Sequence, residues 1–242
     1  MLSESVRRAR LLIALVVFAA CGLAACSSMA PWHDAPPPDE VNLSFTVHNN
    51  LLFLPSAKIN GHTGHFFFGS ATPRTVLDPR AVPRTTTYAL TLGERATLPF
   101  TPLFMDLHAT GDALIGADVF AQRGVTIDYR SGLLTYQKLG IHPAYMTLFR
   151  FNAEPAVDVA VDGKRMSAIV DTASPDTITL PAPRESRGHA HVIVGTSDFG
   201  TVDVHYAAVE RPRLGNRLLS KFLIGIDYRN HVVGIWRDPR IP

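Results

Sequence analysis

From Asn42 onward the apolar positions fall in short runs, rich in β-branched and aromatic residues and broken by Gly, Pro and Asn. None of these runs keeps helical spacing for more than about two turns, which predicts an all-β body. Residues 43–47, a turn at His48-Asn49-Asn50 and residues 51–54 read as a hairpin. Residues 156–161 alternate in character before Asp162-Gly163, the mark of a strand entering a tight turn.

The N-terminus follows a different rule. Arg7, Arg8 and Arg10 precede an uncharged run over residues 11–25 that is too short to span a bilayer comfortably, so 1–25 reads as a signal peptide. It ends in Leu23-Ala24-Ala25-Cys26, which looks like a bacterial lipobox. Cys26 is then the expected site of lipidation, and its acyl chains make the membrane an expected partner. The alternatives are an ordinary signal peptide with an incidental cysteine, or a signal anchor that is never cut. Residues 26–41 contain Pro31 and Pro36-Pro37-Pro38 and read as a tether. Ser27 and Ser28, rather than aspartate, follow the cysteine. By resemblance to enterobacterial sorting rules, the anchor is then expected in the outer membrane of the cell envelope, with the body facing the periplasm.

Charge and cysteine content sharpen this picture. The whole chain carries a formal +2, but 1–25 holds Glu4 and three arginines, so the remainder is near neutral. No basic stripe with interleaved aromatics is present, which argues against a nucleic-acid partner. Cleavage before Cys26 leaves one acylated cysteine and no disulfide, so the body must hold by packing.

The chain also repeats itself. Phe68-Gly69-Ser70-Ala71-Thr72-Pro73 returns 102 positions later as Val170-Asp171-Thr172-Ala173-Ser174-Pro175, within a longer match that has no gap. Residues 114–130 return at a displacement of 99, with Asp128-Tyr129-Arg130 becoming Asp227-Tyr228-Arg229. Two blocks in the same order at nearly equal offsets predict two lobes, 42–140 and 146–240.

The repeated unit resembles a retropepsin-like lobe of the aspartic proteases: strands, an Asn-Gly turn, an apolar strand, an Asp-Thr-Gly or Asp-Thr-Ala loop, a flap hairpin, and an Ile-Leu-Gly segment near a short helix. Asp171-Thr172-Ala173 and Leu114-Ile115-Gly116 carry the likeness, which covers nearly all of 42–240. It implies two acid-protease lobes around an interlobe cleft that takes a peptide or protein ligand. It also implies flap hairpins at 88–98 and at 189–204, the latter turning near 195–200.

That chemistry needs two facing carboxylates, one to draw a proton from water and one to donate a proton to the scissile carbonyl. The resemblance makes Asp171 the catalytic residue of the second lobe. Thr172 is then expected to bond across the interface, and Ala173 suits the tight turn. The first lobe departs from the pattern, because Gly69 stands where the acid belongs and the loop reads Gly69-Ser70-Ala71. Ser70 keeps a hydroxyl for the interlobe contact, and Asp78 lies too far along the chain to substitute. The expectation is a pseudo-protease that binds peptide or protein with little or no peptidase activity. Competing readings are an active endopeptidase that pairs Asp171 with its counterpart in a dimer, and a structural envelope lipoprotein.

The remaining signals read as structural. Gly116 and Gly215 suit close backbone packing. The two Asp-Tyr-Arg segments read as strand-end turns with surface charge. His189, His191 and His205 read as exposed strand histidines rather than metal ligands, so neither metal nor cofactor is expected. Gly-x-Ser-x-Gly, His-Glu-x-x-His, phosphate-loop and Cys-x-x-Cys motifs are absent.

Overall fold

Turns that demand a left-handed backbone set the strand boundaries. The computed structural model describes residues 40–93, 96–108, 110–121, 123–137, 141 and 145–237. The signal-peptide and lipobox readings, Cys26 included, lie outside the described residues. Within them Asn49 and Asn50, Asn60 and Gly61, and Asp162 and Gly163 all have positive φ. Glycine enters this region without steric penalty, and Asn and Asp tolerate it better than most residues.

The first half contains β1 (Glu40–Ser44), β2 (Thr46–His48), β3 (Leu51–Phe53), β4 (Ala57–Ile59), β5 (Phe66–Phe68), β6 (Val76–Leu77), β7 (Tyr88–Leu92), β8 (Ala96–Phe100), β9 (Leu103–Phe104), β10 (Ala113–Ile115), β11 (Gly124–Asp128) and β12 (Leu133–Gln137). The second contains β13 (Thr147–Arg150), β14 (Ala156–Val161), β15 (Lys164–Val170), β16 (Ile178–Pro181), β17 (Ser186–Val194), β18 (Ser197–Ala207), β19 (Arg213–Leu214), β20 (Leu223–Asp227) and β21 (Val232–Trp236). A 3-10 turn at Ala117–Phe120 and an α-helical turn at Asn216–Leu219 interrupt them. The body is all-β.

The same pairing pattern occurs in both halves. β5 runs parallel to β10, β10 antiparallel to β6, and β6 parallel to β9. In the second half β15 runs parallel to β19, β19 antiparallel to β16, and β16 parallel to β18. The hairpin β7–β8 is matched by β17–β18, and β11–β12 by β20–β21. A six-stranded sheet in the order β1-β12-β11-β20-β21-β13 draws on both halves, which meet where β11 lies antiparallel to β20.

The halves differ in closure. The second forms a closed barrel, β14-β15-β19-β16-β18-β17, because β18 runs unbroken for 11 residues and pairs with β16 and β17 at once. In the first half the corresponding stretch breaks at Thr101-Pro102 into β8 and β9, and that of β14 breaks at Pro55 into β3 and β4, leaving two sheets. Proline cannot donate to a ladder, which favours a break at these two points, although Pro99 keeps its place opposite Ala89 within β8. Both halves contribute to one buried cluster, which includes Phe68 and Phe120 in edge-to-face contact at 5.2 Å.

Four expectations need correction. The strand predicted over 43–47 is split: β1 pairs with β12, and only β2 forms the hairpin with β3. The tether predicted to run to 41 gives way to β1 at Glu40. The second flap hairpin is longer than expected and turns at Gly195-Thr196, between β17 and β18. His205 is not exposed, since its side chain keeps 16% of its accessible surface, whereas His189 and His191 lie open beside Asp203 and Asp198.

Candidate functional site

Each loop of the repeat leaves an apolar strand, turns within four residues and returns beneath a glycine. The Gly69 amide donates to the Ile115 carbonyl at 2.9 Å, and the Asp171 amide to the Leu214 carbonyl at 3.0 Å. Thr72 closes the first turn onto the Gly69 carbonyl, and Ser174 closes the second onto the Asp171 carbonyl, each at 3.1 Å. Gly116 and Gly215 lie under these turns. A Cβ on Gly116 would fall 2.7 Å from the Thr72 carbonyl oxygen, and one on Gly215 would fall 2.3 Å from the Asp176 carbonyl oxygen. Their packing role follows from backbone contact alone.

The two loops are bound to each other. The Ser70 hydroxyl donates to the Val170 carbonyl at 2.6 Å and accepts the Thr172 amide at 3.0 Å. Reciprocally, the Thr172 hydroxyl donates to the Phe68 carbonyl at 2.8 Å and accepts the Ser70 amide at 2.8 Å. Both side chains are fully buried, so these four bonds have no water to compete with them. Ala71, at 6% exposure, packs beside this contact.

Two tyrosines support the loops from outside, and sequence reasoning missed them. The Tyr228 hydroxyl donates to the Ser70 carbonyl at 2.9 Å. The Tyr129 hydroxyl donates to Asn216 Oδ1 at 2.6 Å, and Asn216 Nδ2 donates in turn to the Thr172 carbonyl at 2.7 Å and to the Asn50 carbonyl. Burial pushes both phenols well above the ordinary tyrosine range, so they act as permanent donors. The Asp-Tyr-Arg segments do turn at strand ends, after β11 and β20, with Arg130 and Arg229 exposed. Their tyrosines point inward, and buried Asp227 caps the turn at Asn230 rather than meeting solvent. The available signal was the repetition of Tyr at the 99-residue displacement of its block.

Asp171 is 7% exposed, and both of its carboxylate oxygens are engaged. Oδ1 accepts the Ala173 amide at 3.0 Å, and Oδ2 accepts Arg213 Nη1 at 2.8 Å. Arg213 also lies 4.0 Å from Glu154, which Arg211 approaches at 3.5 Å. The charges form a chain, Arg211, Glu154, Arg213, Asp171. Among the described residues no hydrogen bond joins Asp171 to another carboxyl group. Asp78 is held elsewhere, by Arg80 and the Leu107 amide.

Gly69, the repeat counterpart of Asp171, is closed to a side chain. A Cβ built on Gly69 would lie 2.4 Å from Thr72 Oγ1 and 3.1 Å from Leu114 Cδ1. Thr72 and Leu114 therefore fill the space that a side chain at 69 would need. Cavities open elsewhere: one of about 550 Å³ between Phe149, Val159, Met166 and Ile193, and one of about 430 Å³ between Ile59, Phe66, Val82 and Thr85. Asp171 lines neither. Among the described residues no cluster of three or more His, Cys, Asp or Glu side chains could hold a metal ion, and no helix is long and apolar enough to cross a membrane.

No protein-family model matches the chain, and no curated protein matches it. The function must be read from the chain's own residues.

Proposed function

We propose that the protein is a pseudo-protease of aspartic-protease descent, an envelope lipoprotein that binds extended peptide or protein segments without hydrolysing them. The observation that carries this reading is the state of Asp171. Acid catalysis by a carboxyl pair requires one group to be protonated beside the other. Asp171 instead meets an arginine on one oxygen and a backbone amide on the other, and the facing loop presents Gly69 beneath Thr72. A lone carboxylate in that setting has no partner with which to share a proton. What persists is the scaffold: two interlocked loops and two hairpins, one of which, β8, is paired only with β7 among the described residues and so offers an edge to an extended ligand.

Purified protein incubated with a peptide library across acid and neutral pH is expected to give no cleavage that Asp171→Ala abolishes. The same protein immobilised against displayed peptides is expected to enrich extended apolar sequences. Cleavage that rises with protein concentration and is blocked by pepstatin would overturn the proposal in favour of a dimeric peptidase. Absence of any enriched peptide would leave a structural lipoprotein as the better reading. Restoring chemistry takes more than Gly69→Asp, because Thr72 occupies the space. The informative variant is Gly69→Asp with Thr72→Ala and Arg213→Leu. The membrane anchor rests on Leu23-Ala24-Ala25-Cys26. Incorporation of labelled palmitate that survives in Cys26→Ala would refute it.

A further inference from the structure

The ring of His205, on β18, meets a carboxylate at each nitrogen. Nδ1 lies 2.7 Å from Asp176 Oδ2, and Nε2 lies 3.1 Å from Glu185 Oε1. A neutral imidazole has one N–H and can donate to only one of them, while its lone pair would then face the other carboxylate. Only the doubly protonated ring satisfies both contacts.

The neighbouring elements supply the rest of the environment. Thr179, opposite His205 on β16, donates to Asp176 Oδ2 at 3.3 Å. Arg187, opposite His205 on β17, approaches Asp176 Oδ1 at 3.7 Å. Asp203, two residues away on β18, is engaged by His189. The hydrogen bond to Asp176 is the largest influence on the imidazole and raises its pKa above the ordinary histidine value, with Glu185 adding to the rise and burial and Arg187 opposing it.

The contact joins two parts of the molecule. Asp176 belongs to the loop that carries Asp171 and Thr172, and its carbonyl accepts the Arg217 amide at 3.2 Å. Glu185 immediately precedes β17, at the foot of the β17–β18 hairpin. In the first half the place of His205 is taken by Phe104, over which the Arg84 guanidinium stacks at 4.6 Å.

We propose that His205 is a protonation-dependent clasp, fastening the foot of the β17–β18 hairpin to the 171–177 loop while both ring nitrogens carry protons and releasing one side when a proton leaves. The clasp stands on this geometry whether or not the hairpin receives a peptide. Its sign follows from a raised folded pKa. The stabilisation is complete below the unfolded histidine value of about 6.5 and is lost as pH rises through the folded value.

An NMR titration of the purified protein reads the ring directly, and amide exchange reads the hairpin. His205 is expected to titrate at higher pH than the same residue in urea, and Glu185→Gln is expected to lower that midpoint. Glu185 is 78% exposed, so this variant leaves the core untouched. After allowance for intrinsic exchange rates, the β17 amides should be better protected in the wild type than in Glu185→Gln below about pH 6. The two proteins should converge once the ring is neutral. A midpoint at or below the urea value, no movement in Glu185→Gln, or a protection difference that ignores pH would each overturn the proposal.

Discussion

Leu114 and Arg213 occupy the same place in the two halves of the molecule. Leu114 pairs with Phe67 on the strand entering the first loop, and Arg213 pairs with Ile169 on the strand entering the second. Leu114 helps fill the space beside Gly69, while Arg213 reaches the carboxylate of Asp171. Acid and guanidinium occur together, and glycine and leucine occur together. Each half is therefore internally compensated.

Removing the cation alone should be costly. In Arg213→Leu the Asp171 side chain, 10% exposed, loses its charged partner. A fully buried pair broken this way costs about 3–5 kcal/mol, and Arg213 is one-third exposed, so a loss of about 1–3 kcal/mol is expected. Asp171→Ala combined with Arg213→Leu should recover much of it, since no unpaired charge remains. Urea denaturation of the four members of the cycle measures the coupling. Additive losses would show that the ion pair does not hold the loop.

The architecture was legible in the sequence where the repeat was strict. Asn60-Gly61 and Asp162-Gly163 fixed equivalent turns, and the gapless match across Gly69 and Asp171 located both loops and the glycine that stands where the second loop has an aspartate. Arg213 was not legible, because it precedes the Leu-Gly pair where the first half has leucine, and a lone arginine in a short strand carries no signal until the strands are paired. The split of the first half into two sheets had a visible cause in Pro55 and Pro102. The prolines alone did not say that β18 would run unbroken. Tyr129 and Tyr228 were hidden by Arg130 and Arg229, whose exposure does not extend to the residue before each.

The interlocked hydroxyls should be strongly coupled. Ser70→Ala leaves the Val170 carbonyl and the Thr172 amide buried without a partner, and Thr172→Ala does the same to Phe68 and Ser70. Each loss is expected to be about 1–3 kcal/mol. The double variant should cost less than the sum, because the two side chains share one closed set of bonds. Thermal unfolding of the single and double variants decides this, and a strictly additive result would mean that the loops hold independently.

Gly215→Ala should be worse than Gly163→Ala for a different physical reason. At Gly215 the added methyl meets the carbonyl oxygens of Asp176 and Ser174, which are backbone and cannot rotate away. Overpacking of that kind costs about 1–3 kcal/mol and would displace the loop that carries Asp171. At Gly163 there is open space, and the penalty comes only from a φ of +79°. The ordering of unfolding midpoints, together with loss of the Asp171–Arg213 contact in a structure of Gly215→Ala, tests the assignment. Equal midpoints would argue against the close backbone approach.

Acid should weaken the first half through Asp78. Its carboxylate accepts bonds from the Arg80 side chain and amide and from the Leu107 amide, and Arg80 also pairs with Asp106. These contacts hold the Asp78 carboxyl well below the usual carboxylate range, with the Arg80 side-chain bond the largest cause. A folded pKa depressed below the unfolded value of about 3.9 gives stability that is present above that value and lost as pH falls toward the folded one. Asp78→Asn removes the titration. The difference in urea midpoint between wild type and Asp78→Asn should therefore be constant from about pH 5 to 7 and shrink below about pH 4. A difference that grows on acidification would reverse the sign and show that the unfolded chain, not the native one, favours the ionised group.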